Sequence, residues 1–417
     1  MEFLFVLDNL REDCGANVNI ALNLGKVLRN NGHKVYSVVR QNLDNNICEE
    51  YRKYFDDVYV ITDLCYNKLF DLYNKNEWKK RNTFYKIIEY IKRPYLLPFW
   101  VDWKLIGDAS LKREYVRNIK KFDDEYSLDG ILAFSFPHWT EEVISKARTK
   151  ASKGIFKLDP YIYHRLFDEK KIKKRLKEEK RILKNVDKVF VTDLMMKDLQ
   201  LNDVDMPFEK FCEYQFPGII VGEEIQHRKK MVEPGGDVHI YFVGRLYEDI
   251  RNPEFIFRLF MEMSSKYILH IVGSGADNTV NKYKEQLKDR LVLHGAVSAS
   301  EAYELMNNAD ILLNIGNTID NQLPSKVFDY INTGLPILNC CKLRDCPSLT
   351  YLKRYPLAYS FCEEEVVTKK LLVEIEHFIE QSLNKNVLKE DIVDIFSDCT
   401  DKYLADLVIE KLKKDGD

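Results

Sequence analysis

The feature that most constrains the fold is a repeated alternation of short apolar runs with segments of helical spacing. The first 40 residues set the pattern, because the apolar runs FLFVLDN and KVYSVVR flank a loop and a helix. The apolar face of that helix carries Ile20, Leu24, Val27 and Leu28. Further apolar runs occupy 56–62, 129–135, 154–159 and 187–193. Alternation of this kind is typical of a parallel sheet that helices cover on both faces.

A second series of the same kind begins near residue 238. Its apolar runs are VHIYFVGRL, YILHIVGSG, LVLHGAV, ADILLNIGN and PILNCC. The helical segments between and after them are predicted at 253–265, 278–289, 299–308 and 325–333. The sequence therefore predicts an α/β protein with two doubly wound, Rossmann-like domains that face each other across a cleft. In open sheets of this class, ligands bind at the carboxyl ends of the strands.

The same pattern predicts where the chain divides. We expect an N-terminal domain at 1–218, a linker at 219–237 and a C-terminal domain at 238–385. The linker contains Pro234, Gly235 and Gly236, which interrupt regular structure. The charged tail at 386–417 is predicted to be helical, and its amphipathic last segment is expected to cross back to the N-terminal domain.

Charge and cysteine usage narrow the class of function. The 417 residues carry a net charge of −3 with a pI of about 6.3, so the overall charge does not favour nucleic-acid binding. Nine cysteines without a paired framework indicate reduced thiols and a cytoplasmic protein. Cys340, Cys341 and Cys346 lie close together, but they lack the further ligands of a structural zinc site.

The first residues, MEFLFVLDNL, contain an acid and no basic segment, so they predict a first strand rather than a signal peptide. No run of about 18 apolar residues is present, and the sequence therefore predicts no membrane span.

Polar and glycine residues follow the strands of the second series. Arg245 comes directly after one strand and Arg251 precedes the next helix, and arginine forks suit phosphate oxygens. The loop VGSGAD lets a ligand approach the backbone, and Ser298 is a predicted helix cap. The stretch NQLPSKVFDYINTGLP places Pro-Ser-Lys at a helix start, where backbone N–H groups favour an anion.

The order of these motifs resembles the GT-B glycosyltransferases, and among them the retaining group called family 4. The resemblance covers both domains and is strongest over 239–340. In that family a Gly-Arg-Leu stretch and a following basic residue hold the donor diphosphate, which implies this role for Gly244, Arg245 and Arg251. In the family the second basic residue is usually lysine. Here it is Arg251, and its distance in sequence from Arg245 is one residue longer than usual.

The family also has two acids eight residues apart that contact the donor. Asp329 matches the second acid, which binds ribose hydroxyls, and Gly334 matches the glycine that follows it. Asn321 stands where the first acid is usual, so the donor sugar is less defined than the nucleotide. The resemblance implies that Ser325 and Lys326 hold the diphosphate. The alternative is an ordinary capped helix with a solvated lysine and aspartate.

The N-terminal domain is expected to bind the acceptor. Gly15 lies in the loop DCGANVN after the first strand, which would reach toward the donor phosphates, although an ordinary turn is the alternative. His138 and Asp159 follow later strands and are the predicted catalytic residues. His164 is a third candidate for the same role, and a structural histidine remains the alternative at each position.

The resemblance implies a transferase that moves a sugar from a nucleotide-diphosphate sugar, with UDP-sugar as the first choice, to a saccharide or lipid-linked acceptor. We expect retention of configuration, a role in bacterial cell-surface glycan synthesis, and no cofactor or metal. The Asp-x-Asp at 202–206 is discounted as a metal site because its context is a polar loop.

Two basic segments suggest contact with a membrane surface. Residues 78–104 combine basic and aromatic side chains, and 170–184 form a basic helix. Such segments bind anionic lipid, which would suit a lipid-linked acceptor and peripheral attachment. Ordinary helices whose apolar side chains fill the core are the equal alternative.

Three other functions remain in view. An epimerase of the same fold would act on the donor without an acceptor, and a non-catalytic scaffold would bind a partner or nothing. Asn321 favours the scaffold, whereas the basic residues and Asp329 oppose it. A nicotinamide dehydrogenase fits poorly, because the first turn lacks the GxGxxG motif.

Overall fold

The computed structural model describes residues 1–8, 10, 16–40, 49–61, 99–135, 138–162, 168–202, 207–222, 231–319 and 323–413. The chain divides into two compact units. The first comprises Met1–Gln215 together with Asp401–Asp417, and the second comprises Phe216–Thr400.

The first unit is built on a parallel seven-stranded sheet with the order β3-β2-β1-β4-β5-β6-β7. Its strands are β1 Glu2–Val6, β2 Lys34–Arg40, β3 Asp57–Ile61, β4 Gly130–Phe134, β5 Ser152–Lys157, β6 Lys188–Val191 and β7 Phe211–Glu213. Its helices are α1 Ala16–Asn30, α2 Glu49–Arg52, α3 Phe99–Tyr126, α4 Trp139–Lys146, α5 Glu169–Lys184 and α6 Asp193–Leu201. The strand order reverses between β1 and β4, so this sheet has its switch point there.

The core of the first unit lies on both faces of its sheet. On one face, the phenyl rings of Phe134, Phe156 and Phe190 stack in a row, with centroids 4.9 and 4.6 Å apart. Burial of each such ring contributes roughly 1.5–3 kcal/mol. On the other face, α3, α4, α5 and α6 cover a second apolar cluster that includes Tyr115 and Ile155.

The second unit is built on a parallel six-stranded sheet with the order β10-β9-β8-β11-β12-β13. Its strands are β8 Val238–Val243, β9 Tyr267–Val272, β10 Leu291–Gly295, β11 Ile311–Ile315, β12 Ile337–Cys341 and β13 Ala358–Cys362. Its helices are α7 Glu254–Glu262, α8 Asp277–Leu287, α9 Ala299–Asn307, α10 Lys326–Asn332, α11 Leu349–Leu352, α12 Lys369–Ser382 and α13 Lys389–Ile395. Its switch point lies between β8 and β11.

The last helix, α14 Asp401–Leu412, belongs to the first unit although it follows the second in sequence. It packs on α1, and Leu412 lies so close to β4 that a Cβ on Gly130 would be 3.0 Å from its Cδ1 atom. The tail predicted at 386–417 is thus divided, because α13 belongs to the second unit.

The segment expected to be a linker begins inside the second unit. The Gly218 carbonyl accepts a hydrogen bond from the Asn332 side chain, and the Ile220 N–H donates to the same side chain. A Cβ on Gly218 would be 2.3 Å from the Phe328 ring. Residues 216–220 are therefore packed against α10.

The predicted fold class is confirmed, since both series form parallel, doubly wound sheets. The two strands that the sequence did not predict, β7 and β13, are the edge strands at the ends of their sheets. Within the described residues, no helix is long and apolar enough to cross a membrane.

Candidate functional site

The loops after β8, β9 and β10 are joined by backbone hydrogen bonds at the carboxyl edge of the second sheet. The Gly244 N–H donates to the Val272 carbonyl at 2.9 Å, and the Gly273 N–H donates to the Gly295 carbonyl at 2.7 Å. A Cβ on Gly273, whose φ is +141°, would be 1.9 Å from the Gly244 carbonyl oxygen. Only glycine permits this approach, so Gly273 of VGSGAD holds the loop after β8 in place.

Arg251 lies over Gly244 and is fixed by neutral groups. Its Nε donates to the Asn317 side-chain oxygen at 2.9 Å, and one terminal nitrogen donates to the Arg245 carbonyl at 3.3 Å. Burial lowers the pKa of the Arg251 guanidinium. Among the described residues, no carboxylate pairs with it. Within the described ranges its positive charge is therefore held in place without an anionic partner, which is the arrangement that suits an anionic ligand.

Asn317 connects the two strands of the switch point, and the sequence did not single it out. It follows β11 and is 5% exposed. Its neighbour Thr318 donates its N–H to the Ile250 carbonyl at 3.0 Å, so the loops after β8 and β11 are joined beside Arg251. The only sequence signal was its position two residues after a buried strand.

Arg245 is exposed at the same edge, and its guanidinium lies 5.4 Å from the centre of the Tyr247 ring. Within the part of the chain that is described, its side chain has no carboxylate partner. The nearby start of α8 is occupied by Glu248, whose carboxylate accepts hydrogen bonds from the Asn278 and Thr279 N–H groups at 3.0 and 3.3 Å. That helix start therefore binds the protein's own anion.

Helix α10 is attached to the same corner through Tyr330. The Val243 N–H donates to the Tyr330 hydroxyl oxygen at 2.8 Å, and the hydroxyl donates to the Val243 carbonyl at 3.3 Å. Burial raises the pKa of Tyr330 well above its ordinary value, so the phenol stays neutral. Because Val243 precedes Gly244, this contact holds α10 beside the loop after β8.

Lys326 and Asp329 lie on the outer side of that turn. The Lys326 ammonium is 2.7 Å from the Asp329 carboxylate, and the two side chains are 41% and 44% exposed. Exposed pairs of this kind contribute little to stability, so a ligand could separate them at small cost. Ser325 precedes the helix, and its side chain makes no capping hydrogen bond.

The N–H groups of the first turn are less open to an anion than the sequence suggested. The Val327 and Phe328 N–H groups donate to the carbonyls of Pro324 and Ser325 at 3.1 and 3.0 Å. These two amides are thus already used by the backbone. The basic side chains are the stronger anion-binding feature of this corner.

Several sequence-predicted positions lie outside the described residues. They are Gly15, Asn321, His164, the Asp-x-Asp residues within 203–206, and residues 78–98 of the aromatic segment.

In the first unit, His138 and Asp159 follow the adjacent strands β4 and β5. The Leu158 N–H donates to the Ser135 hydroxyl at 2.7 Å, which joins the two strand ends. The His138 Nδ1 atom lies 3.0 Å from the Glu141 carboxylate, and its ring centre is 4.8 Å from that of Tyr161. The structure thus brings both predicted catalytic residues to one edge of the first sheet.

A second charged pair lies near this edge and was not predicted. The Arg40 Nε atom is 2.5 Å from the Asp8 carboxylate, and the guanidinium lies 5.8 Å from the Trp139 ring centre. Tyr115, packed against Trp139, donates to the Leu7 carbonyl at 2.9 Å. The pair connects the carboxyl ends of β1 and β2.

The basic helix α5 uses its apolar side for the core. Ile182 and Leu183 are buried, and Ile172 and Leu176 pack against the same cluster. Its lysines remain exposed or half-buried on the other side. Only electrostatic attraction, and not insertion of its apolar residues, is therefore open to this helix at a membrane surface.

Among the described residues, no group of three or more His, Cys, Asp or Glu side chains is arranged to hold a metal ion. Cys340, Cys341 and Cys346 are buried free thiols.

Residues 237–342 match a family model described as "Glycosyl transferases group 1". No curated protein matches the chain in sequence.

Solved structures match over nearly the whole length of the chain. HepE from Anabaena in complex with UDP is 11% identical, covers 99% of each chain and gives a TM-score of 0.64. Sucrose-phosphate synthase from Thermosynechococcus elongatus is 12% identical, with 98% of each chain covered and a TM-score of 0.62. The lipopolysaccharide outer core galactosyltransferase WaaB, in its apo form, is 11% identical, with 99% coverage of each chain and a TM-score of 0.59. At these identities the likeness establishes the shared fold, which is that of the GT-B glycosyltransferases.

Proposed function

We propose that this chain, whose residues 237–342 form a glycosyl transferases group 1 domain, moves a sugar from a nucleotide-diphosphate sugar to a saccharide or lipid-linked acceptor. The observation that carries the proposal is the uncompensated Arg251 guanidinium. It lies over Gly244 at the switch point of the second sheet and is fixed by the neutral Asn317. A half-buried cation without an acidic partner among the described residues is costly unless a ligand supplies the negative charge.

The donor diphosphate would lie between Arg251, Arg245 and Lys326. In sugar transfer the bond from the anomeric carbon to the diphosphate breaks, and negative charge grows on the departing phosphate. Cations held in place beforehand stabilise that charge without reorganising during the reaction. Asp329, released from Lys326, would accept hydrogen bonds from ribose hydroxyls, and Ser325 would contact the phosphate.

UDP is the nucleotide that we would test first, since HepE was solved with UDP and with UDP and glucose. The same proposal includes transfer without a metal, because three cations could neutralise the diphosphate. It also includes retention of the anomeric configuration, with the acceptor hydroxyl attacking on the face that the diphosphate leaves.

In the first unit, His138 and Asp159 are the proposed catalytic residues. A neutral imidazole can accept a hydrogen bond from a sugar hydroxyl, and a carboxylate can accept the proton of an acceptor hydroxyl. Gly15 and Asn321 remain proposed donor-loop residues on the basis of sequence alone.

A thermal-shift titration tests the proposal directly. The protein is heated with UDP, GDP, TDP or CMP and their common sugar conjugates, with and without EDTA. One diphosphate should raise Tm, since saturation at about 100 times Kd adds roughly 2.7 kcal/mol of stability. The shift in Tm should survive EDTA and shrink in Lys326→Ala. It should not shrink in the control Lys369→Ala, which removes the lysine side chain at the first position of α12.

The absence of any shift would favour a non-catalytic scaffold. Release of free nucleotide from a sugar conjugate without any acceptor would instead favour an epimerase. Transfer to an added saccharide, followed by analysis of the product's anomeric configuration, would test retention.

We also propose a cytoplasmic enzyme of cell-surface glycan synthesis that attaches to the inner membrane surface through the exposed lysines of α5. Cosedimentation with vesicles that contain anionic lipid should be strong at low salt and lost at high salt. The same result with purely zwitterionic vesicles, or no binding to either, would contradict attachment of this kind.

A further inference from the structure

A buried row of four titratable side chains lies behind the carboxyl ends of β4 and β5. His138 precedes α4, Glu141 is in its first turn, Lys157 ends β5, and Glu179 is in α5. His138 Nδ1 is 3.0 Å from the nearer Glu141 oxygen, and the Lys157 Nζ atom is 3.4 Å from the other. The same Nζ atom is 2.6 Å from a Glu179 oxygen.

Three of these side chains are almost completely excluded from solvent. Glu141 and Glu179 are 0% exposed and Lys157 is 1% exposed. The side chain of His138, the fourth member, is 14% exposed. A single buried charge is strongly unfavourable, so groups of this kind persist only in pairs. A structural ion pair would need one lysine and one glutamate, whereas here a second glutamate and a histidine extend the row.

With Lys157 and Glu141 both charged, charge balance allows the row two neutral states. In one, Lys157 and Glu141 are charged, His138 is neutral and Glu179 carries a proton. In the other, His138 is an imidazolium and Glu179 is ionised. In either state Glu141 is an anion that faces the histidine.

The protonation tendencies agree with the first state. Burial raises the pKa of Glu179. Burial alone would also raise the pKa of Glu141, but Lys157 and His138 outweigh it and lower the pKa. Burial would lower the pKa of Lys157, yet the two carboxylates raise it.

The surroundings contain further charged and titratable groups. Tyr161 lies beside the row, with its ring centre 5.0 Å from the Lys157 Nζ atom, and the Arg175 guanidinium lies 5.1 Å from the same ring centre. Among the described residues, Glu178 also faces the row and hydrogen-bonds Tyr161. The negative charge of Asp198, in α6, raises the pKa of Glu179. Burial raises the pKa of Tyr161, so it stays a neutral phenol.

We infer that Glu141, anchored by Lys157, is a positioning residue that holds His138 in the tautomer with its proton on Nδ1. The Nδ1–H group then donates to Glu141, and Nε2, which is buried in the free protein, is left as the accepting nitrogen. When His138 takes up a proton at Nε2, Glu179 can release one, so the row keeps its net charge. This inference rests on the proposed function for the role of Nε2, but the tautomer itself is a property of the free protein.

The tautomer can be measured without any substrate. The protein contains eight histidines, so selective ring ¹⁵N labelling gives few signals, and His138→Asn identifies the one of interest. The long-range ¹H–¹⁵N pattern of neutral His138 should show a protonated Nδ1. A wild-type His138 with its proton on Nε2 would overturn the inference, and this result needs no other variant.

Glu141→Gln is the direct test, because its amide can either donate to or accept from Nδ1. It should give a mixture of tautomers and reduce kcat by about 100-fold, within the range for a misplaced acid–base group, with donor KM changed less than about threefold. Glu142→Gln is the matched control, since Glu142 neighbours it on α4 but pairs with Lys112 and Lys146. The control should leave the tautomer unchanged.

Glu179→Gln tests the charge balance. Glutamine mimics the protonated acid, so this variant should fold with a Tm close to that of the wild type and keep the Nδ1–H tautomer. It should change the pH profile of kcat, because the row has lost its second proton site. A pH profile identical to that of the wild type would contradict the role of Glu179.

Failure of the inference and failure of the proposed function are distinguishable. If no donor or acceptor supports transfer, the function fails while the tautomer result stands. If Glu141→Gln folds and leaves both the tautomer and kcat unchanged, the positioning role fails whatever the activity is.

Discussion

The charged side chains at the carboxyl edges of the two sheets are paired in opposite ways. In the first unit, Lys157 lies between two glutamates, and Arg40 pairs with Asp8. In the second unit, Arg251 is held by the neutral Asn317 and by a backbone carbonyl. At one edge the charged side chains thus pair with each other. At the other edge, among the described residues, the positive charge of Arg251 has no anionic partner.

This difference indicates which edge is prepared for an ionic ligand. A balanced row has its charges paired before any ligand arrives, so it suits the orientation of a neutral sugar or acceptor. An unbalanced cation gains most when an anion binds. Removal of that cation, Arg251, should therefore have the largest effect on the difference between the two edges.

Arg251→Ala should have the largest effect on function. Loss of a preorganised donor to the departing phosphate should reduce kcat/KM by about 10²–10³, which is roughly 3–4 kcal/mol. Steady-state kinetics with the nucleotide sugar identified by thermal shift measures it. Arg290→Ala is the matched control, because Arg290 also donates a terminal nitrogen to a backbone carbonyl, that of Ser264, but lies before β10. Equal losses in both variants would mean that general destabilisation is the cause.

Gly273→Ala should disrupt the second edge through the backbone. A Cβ there would be 1.9 Å from the Gly244 carbonyl oxygen, so the loops after β8 and β9 must separate. We expect the second unit to lose about 3 kcal/mol of unfolding free energy. Gly295→Ala, also at positive φ but with nothing within 4 Å, should lose only about 1 kcal/mol. Urea unfolding of both variants decides the point.

Lys326→Ala should have a smaller effect, because its ammonium is half-exposed. Loss of one charged contact should weaken diphosphate binding about tenfold, or about 1.4 kcal/mol. Calorimetric titration of the diphosphate measures the change, with Lys369→Ala as the control. Unchanged affinity in Lys326→Ala would leave Asp329 as an ordinary partner of a solvated lysine and would restrict the anion site to the arginines.

Asp401→Asn tests a carboxylate of the first unit that lacks such balance. Burial raises the pKa of Asp401 to about 7, although Lys26 and Asn23 act in the opposite direction. Because the folded state prefers the protonated acid, stability is highest below the unfolded pKa of about 4 and falls as the pH rises through 7.

The amide side chain of the Asp401→Asn variant carries no charge, so the variant avoids this loss of stability. Its gain in unfolding free energy over the wild type should therefore grow by about 1 kcal/mol between pH 5.5 and 8.5. Urea unfolding at the two pH values measures the gain. Asp406→Asn, an exposed position on the same helix, should show no such growth. A gain that is the same at both pH values would show that burial of the charge is not its cause.

Much of the fold could be predicted from periodicity, because buried parallel strands are continuous apolar runs. The edge strands β7 and β13 were missed because one is three residues long and the other, AYSFC, is only partly buried. The division of the tail was missed because the sequence does not mark where the chain returns to the first unit.

The candidate site was predicted unevenly for a physical reason. Arg245, Arg251 and Lys326 follow strands or begin a helix, so their positions could be inferred from local sequence. Asn317 and Lys157 act through partners that are distant in sequence. Lys157 in particular follows GIF, where a lysine looks like the polar end of a strand. The spacing of His138 and Glu141 was the only local signal of that row.

The position of α14 has a consequence for synthesis of the chain. Asp401–Leu412 covers part of the first unit, yet the ribosome makes it only after all of Phe216–Thr400. The first unit therefore emerges early without α14, and its apolar surface beside α1 and Gly130 stays uncovered until Asp401–Leu412 has been made. Completion of the first unit thus waits for a helix that is made after the second unit, and a chain that stops before residue 401 would lack this cover.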